Sequence, residues 1–233
     1  MTVHVVYADP QELRDPFPAL VGDGYLDRKA AQLLAEAMLQ DTTAAVAESG
    51  GDLVVTHPPE SNEDQSDEPR ERLREVLSGA LPGMDAVQFE SQVGDRPTER
   101  VENACRHIVS RADVASVAVL DGRAPLLDRT DLDNAGMKLR RSEVVVGPAP
   151  AGRVAYLGMT EPIELSRLHW PLALGALVDR AVTNGHTVDW LPLQVWVGGR
   201  SGLETLTTLI RADQTASRRV PERTAAAIDA VGL

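Results

Sequence analysis

The chain has 233 residues, with 35 Asp and Glu against 23 Lys and Arg and a net charge of −12 at pH 7. That length suits one large α/β domain with a substantial core, and the acid excess argues against a polyanion such as nucleic acid as a partner over the whole surface. No apolar run approaches the length needed to span a bilayer, and the single cysteine, Cys105, excludes an intrachain disulfide or a cysteine metal cluster.

Only Lys29 and Lys138 are lysines; the other 21 basic residues are arginines. Acid excess, scarce lysine and few aromatics suggest a chain adapted to high salt, where a Debye length of about 3 Å screens self-repulsion. The alternative is an acidic surface that avoids nucleic acid or meets a basic partner. The start, MTVHVVYADP, reads directly as a strand and lacks the charged and apolar regions of a signal peptide, so the expected location is cytoplasmic. Nothing in the sequence sets the oligomeric state, and a homo-oligomer stays open.

Val3–Tyr7 reads as the first strand. Ala8–Gly24 reads as a loop carrying Asp9, Glu12, Asp15 and Asp23 against Arg14 alone. Asp27–Glu48 shows the three- and four-residue apolar spacing of a long helix, stopped by Ser49-Gly50-Gly51. Asp52–His57 reads as a strand. The charged segment between Pro58 and Pro69 has no large apolar residue and reads as a mobile, solvated excursion. A helix over Glu71–Leu81 and a strand over Val87–Ser91 follow. Pro97 and Glu99 suit a helix start, with Thr98 as the expected N-cap. Arg100 then falls on the first turn, either as a ligand-facing charge or in a surface ion pair. Cys105, beside Ala104 and Ile108, reads as a small buried hydrophobe.

Val114–Leu120 is an apolar strand broken by the turn pair Asp121-Gly122. Asp128 or Thr130 offers an N-cap for a short helix. Glu143–Gly147 and Val154–Gly158 read as two further strands around a Gly/Pro turn. Trp170 precedes a helix over Pro171–Asn184. Val188–Val197 reads as a strand bent at Pro192, and Leu203–Arg211 as a helix after a glycine-rich junction. Asp213–Leu233 reads as a short helical tail with Arg218, Arg219 and Arg223 exposed. No internal repeat is visible, and the chain is expected to form a single domain over residues 1–233.

Pro125, Leu127, Gly147, Pro148, Gly152, Gly158 and Met159 fall in register with a family pattern: a strand ending in Gly-x-Asp-x-Pro-x-Leu, a strand ending in Gly-Pro, an Asp-Gly-Gly-Tyr turn and a strand ending in Gly-Met. In this respect the chain resembles the nucleotide-diphospho-sugar transferases of the glycosyltransferase-A (GT-A) fold, most of all the rSAM/selenodomain-associated transferases. The resemblance implies a three-layer α/β/α fold with a mixed, mainly parallel sheet of about seven strands. It also implies a nucleotide or nucleotide-sugar as ligand, and glycosyl or nucleotidyl transfer as activity. The acidic positions depart from the pattern. The Asp before the proline is Arg123, the Asp of the turn is Ala151, and a later Asp corresponds to Arg200.

Enzymes of this fold hold Mg²⁺ or Mn²⁺ with carboxylates, hard ligands for a hard ion. The departures disfavour such a metal here, although Asp121 stands two residues from the expected place. An arginine can supply the counter-charge instead, binding phosphate bidentately. Arg100, Arg123, Arg153 and Arg200 are therefore the candidate nucleotide-binding residues, with Asp121 and His169 as candidate catalytic groups. The bland reading makes the arginines ordinary surface charge. The competing class is a non-catalytic nucleotide-binding or protein-interaction module on the same fold. No Gly-x-Ser-x-Gly elbow, Gly-x-x-x-x-Gly-Lys loop or His-x-x-x-His pair is present.

Overall fold

The structure, a computed structural model, describes residues 1–59, 69–81, 83–84, 87–165 and 167–233. The expected mobile segment between Pro58 and Pro69 therefore lies outside the described residues from 60 to 68.

Seven strands form one sheet: β1 (Thr2–Tyr7), β2 (Asp52–His57), β3 (Val87–Ser91), β4 (Ser116–Asp121), β5 (Val144–Ala149), β6 (Arg153–Met159) and β7 (Val188–Trp190). Their order is β3-β2-β1-β4-β6-β5-β7. Pairing is parallel except for β6, which runs against both β4 and β5. The sheet is mixed and mainly parallel, as the element order implies.

Central strands covered on both faces should read as nearly continuous apolar runs. In β1, Val3, Val5 and Tyr7 join one core cluster while Val6 joins the other. On the first face lie α3 (Arg28–Glu48), α4 (Pro69–Ser78) and α6 (Arg129–Lys138), contributing Leu39, Leu73 and Leu132. On the second lie α5 (Pro97–Val109) and α7 (Leu174–Thr183), contributing Ile108 and Leu177. A third cluster joins α3 to α2 (Pro18–Gly22), α8 (Arg200–Thr215) and α9 (Glu222–Ala230), through Met38, Leu20, Leu206 and Ile228. The three-layer α/β/α architecture is thus present, with an extra helical layer outside α3. Cys105 is buried in α5, and burial pushes its thiol up to about 12.

Four local expectations change. Ala8–Gly24 is not an open loop: it holds α1 (Pro10–Arg14) and α2, each with proline in its first turn, where a missing N–H costs nothing. Thr98 is buried inside α5 rather than capping it. The cap is Arg96, with the Glu99 carboxylate accepting the backbone N–H groups of Asp95 and Arg96. The regular last strand ends at Trp190; beyond it Leu191 and Gln194 still donate backbone N–H groups to the Val146 and Pro148 carbonyls of β5, on either side of Pro192, which has no donor to give. Helix α7 starts at Leu174, after a cis Trp170–Pro171 bond.

Candidate functional site

Helix α3 begins with Asp27 accepting the N–H of Ala30 and ends at Ser49, so its Ala35–Leu39 stretch crosses the C-terminal ends of β1 and β4. In an open α/β sheet, ligands enter at such strand ends, where the order of strands reverses. β1 is that point here, with β2 on one side and β4 on the other.

A cavity of about 350 Å³ opens at this place. Its apolar wall includes Tyr7, Phe17, Leu39 and Trp170; its polar lining is Asp9, Glu12, Asp15, Asp121 and Arg123. The Tyr7 and Trp170 rings meet at 5.0 Å between centroids, tilted by 50°. Helix α1 carries Glu12 into the lining, and Asp9 caps that helix by accepting the Gln11 N–H at 2.8 Å. Asp15 faces Arg28 at 3.4 Å. Glu12 stands at the accessible side of the cavity. Crowding by the wall raises its carboxyl, and Asp9 and Asp121 add to the rise while Arg123 opposes it.

Asp121 ends β4 and is buried. One of its oxygens accepts the Arg123 backbone N–H at 3.0 Å and Nε–H at 2.9 Å. The other accepts Arg123 Nη2–H at 2.8 Å and the indole Nε1–H of Trp196 at 3.0 Å. Burial alone would raise this carboxyl, but the Arg123 charge and these hydrogen bonds outweigh it and hold the carboxyl below its usual range. The guanidinium also lies 4.7 Å from the centre of the Trp196 ring. Asp121 and Arg123 are therefore one bidentate unit.

The other candidates stand apart from this unit. Arg100 donates to the Gly94 carbonyl at 2.9 Å and to Gln92 at 3.4 Å, and it acts on Tyr7 by charge and hydrogen bonding. Arg153 donates to the carbonyl of Pro171, a residue of the cavity lining, at 3.2 Å. Arg200 pairs with Glu204 at 2.8 Å and covers the Tyr25 ring at 4.5 Å. His169 is exposed, next in sequence to Trp170. Of these, only Asp121 and Arg123 line the cavity among the described residues. Trp196 was missed in the sequence: it sits in what reads as a strand, and nothing local signals a side chain that reaches β4.

Both Asp121 oxygens are engaged, and no group of three His, Cys, Asp or Glu suited to an ion occurs among the described residues.

No protein-family profile matches this chain, and no curated protein matches it in sequence. Solved structures do match. One is a protein from Desulfovibrio desulfuricans G20 described as a nucleotide-diphospho-sugar transferase: TM-score 0.78, 18% identity, 99% of this chain and 96% of that one. The chain has the nucleotide-diphospho-sugar transferase fold. A cytidylyltransferase from Leptospira borgpetersenii serovar Hardjo-bovis matches with TM-score 0.53 and 14% identity, over 99% of this chain and 93% of that one. CMP:2-keto-3-deoxy-manno-octonic acid synthetase, in complex with CTP, matches with TM-score 0.52 and 13% identity, over 91% and 99%. At these identities the likeness establishes the fold; function rests on the site.

Proposed function

We propose that this chain binds a nucleotide or nucleotide-sugar in the cavity at the ends of β1 and β4. There it would act as a glycosyltransferase or nucleotidyltransferase with Arg123, rather than a metal, as fixed counter-charge. The observation that carries the reading is the Arg123 side chain in the cavity lining, anchored on the buried Asp121 at the end of β4. The likeness to a CTP-bound synthetase and the in-register Gly and Pro residues of the rSAM/selenodomain-associated transferases support the ligand class.

In nucleotidyl transfer an acceptor oxygen bonds to the α-phosphorus, and the bond from that phosphorus to the diphosphate breaks. In glycosyl transfer the anomeric carbon changes partner and the nucleoside diphosphate leaves. Either way negative charge gathers on a phosphate oxygen, and a fixed guanidinium donor stabilises it. The carboxylates around Arg123 need not expel such a ligand. Asp9 and Asp15 have N–H and arginine partners of their own, and the Arg123 charge acts on Glu12.

A second reading is a non-catalytic nucleotide-binding module, favoured by the engagement of both Asp121 oxygens. Calorimetry with CTP and UDP-glucose in the presence of a chelator tests the binding. Consumption of the nucleotide then supports transfer, and binding without consumption supports the module. Binding that requires added Mg²⁺ or Mn²⁺ defeats the counter-charge reading.

A further inference from the structure

Trp196 belongs to the segment between β7 and α8 that crosses the end of β4, and two glycines shape its seat. A Cβ at Gly198 would lie 1.9 Å from the Trp196 ring, and one at Gly202 would lie 2.4 Å from the Trp196 carbonyl oxygen. No side chain fits at either place without displacing the tryptophan. The backbone adds a tie: the Val197 N–H donates to the Arg123 carbonyl at 2.9 Å. The segment is thus fastened to the Arg123 turn, and its indole meets both members of the ion pair, the carboxylate through Nε1–H and the guanidinium through its ring.

This arrangement restricts an otherwise mobile side chain. Nε and Nη2 of Arg123 are spent on Asp121, while Nη1 has no acceptor among the described residues. A guanidinium held along one edge and supported on one face keeps its remaining N–H groups in a fixed direction, so little ordering entropy remains to be lost when a ligand binds.

We propose that Trp196 is the positioning residue of this site, holding Arg123 so that its free Nη1 edge takes a phosphate oxygen of the ligand. The inference rests on the nucleotide reading above and assigns within it the residue that discriminates phosphate.

Two measurements test it. The first needs no ligand: nitrogen-15 NMR of the arginine Nε–H groups, with Arg123→Lys identifying the resonance. The Arg123 Nε–H should be protected from exchange in the wild type, partly protected in Trp196→Phe, which keeps a ring, and unprotected in Trp196→Leu. The second compares CMP with cytidine in chelator. The wild type should favour CMP by about tenfold, one charge-assisted contact's worth. Trp196→Leu should bring the ratio to about one with cytidine affinity unchanged, and Trp196→Phe should leave about threefold. A merely structural tryptophan would weaken both ligands together. If Trp196→Leu does not fold, Trp196→Phe decides: no change from wild type in either measurement overturns the proposal. So does a Trp196→Leu protein that keeps the ratio or the protection. A wild type that binds none of CMP, cytidine, CTP and UDP-glucose defeats the nucleotide reading, and with it the phosphate role. The exchange data then show separately whether Trp196 holds Arg123.

Discussion

Asp121 and Arg123 show how much two residues can depend on each other. Replacing Asp121 by Asn keeps the shape but leaves a largely enclosed guanidinium without its counter-charge. Breaking such a pair from one side costs about 3 kcal/mol, which urea denaturation of Asp121→Asn would measure. Arg123→Ala should weaken nucleotide binding by at least about 1 kcal/mol, read by calorimetry in chelator. His4 supplies a pH effect. Both its ring nitrogens lack hydrogen-bond partners among the described residues, and burial lowers its pKa from 6.5 to about 4, with Asp133 opposing the shift. The unfolded chain therefore binds the proton first as pH falls. Stability is full above 6.5 and is lost between there and about 4, by up to roughly 3 kcal/mol. His4→Leu should flatten that slope in urea melts taken across the window; an unchanged slope would assign it to other groups.

At the scale of elements, the central strands β1, β2, β4, β5 and β6 read as short apolar runs, because a strand buried on both faces leaves that mark, whereas the edge strands β3 and β7 are only partly buried. Helix α3 announces itself through its apolar spacing over Asp27–Glu48, and α6 through the N-cap offered by Asp128 or Thr130, of which Asp128 is the cap. What escaped were elements made by tertiary contact. Helices α1 and α2 are five residues each, too short to show a period. The 191–197 stretch reads as more strand; it follows β5 only through the Leu191 and Gln194 N–H groups and then turns away to the Arg123 carbonyl. Arg223, expected to be exposed, donates to the carbonyls of Gly79 and Ala80 and lies 3.5 Å from Asp41. Asp41 itself, mid-helix in α3, accepts the Thr224 N–H at 2.7 Å and so caps α9 from another part of the chain. Only the folded chain reveals such a cap. Asp41→Ala should cost about 2 kcal/mol, the upper end for a lost helix cap. Hydrogen exchange should rise first over Glu222–Ala230; uniform loosening would show that α9 docks without it.

For the whole molecule, the net charge of −12 sets an unusual expectation. We expect melting temperature to rise from low salt to molar KCl more than in an ordinary protein, as screening relieves repulsion among the acids. A flat or falling series removes that inference. Nucleotide affinity should rise in the same series, because an anion approaching this acidic body is helped by screening; for a basic nucleotide site the opposite slope applies. The fold was legible in the order of elements and in the glycines and prolines that mark their turns. The site was legible only in part. Asp121 and Arg123 lie two residues apart, whereas Trp196 meets Asp121 from 75 positions away.

The place of β1 in the sheet bears on how the chain is made. Its two neighbours are β2, which follows within the first 57 residues, and β4, which ends at residue 121. As the polypeptide leaves the ribosome, Thr2–Tyr7 can pair on one side early, but its other side stays bare until more than a hundred residues have been synthesised. Throughout that interval a strand of Val3, Val5 and Val6 offers open N–H and C=O groups to any passing chain. Nascent chains stalled before Ser116 should therefore recruit chaperones or aggregate more than chains that extend past Met159, where β6 covers the far edge of β4.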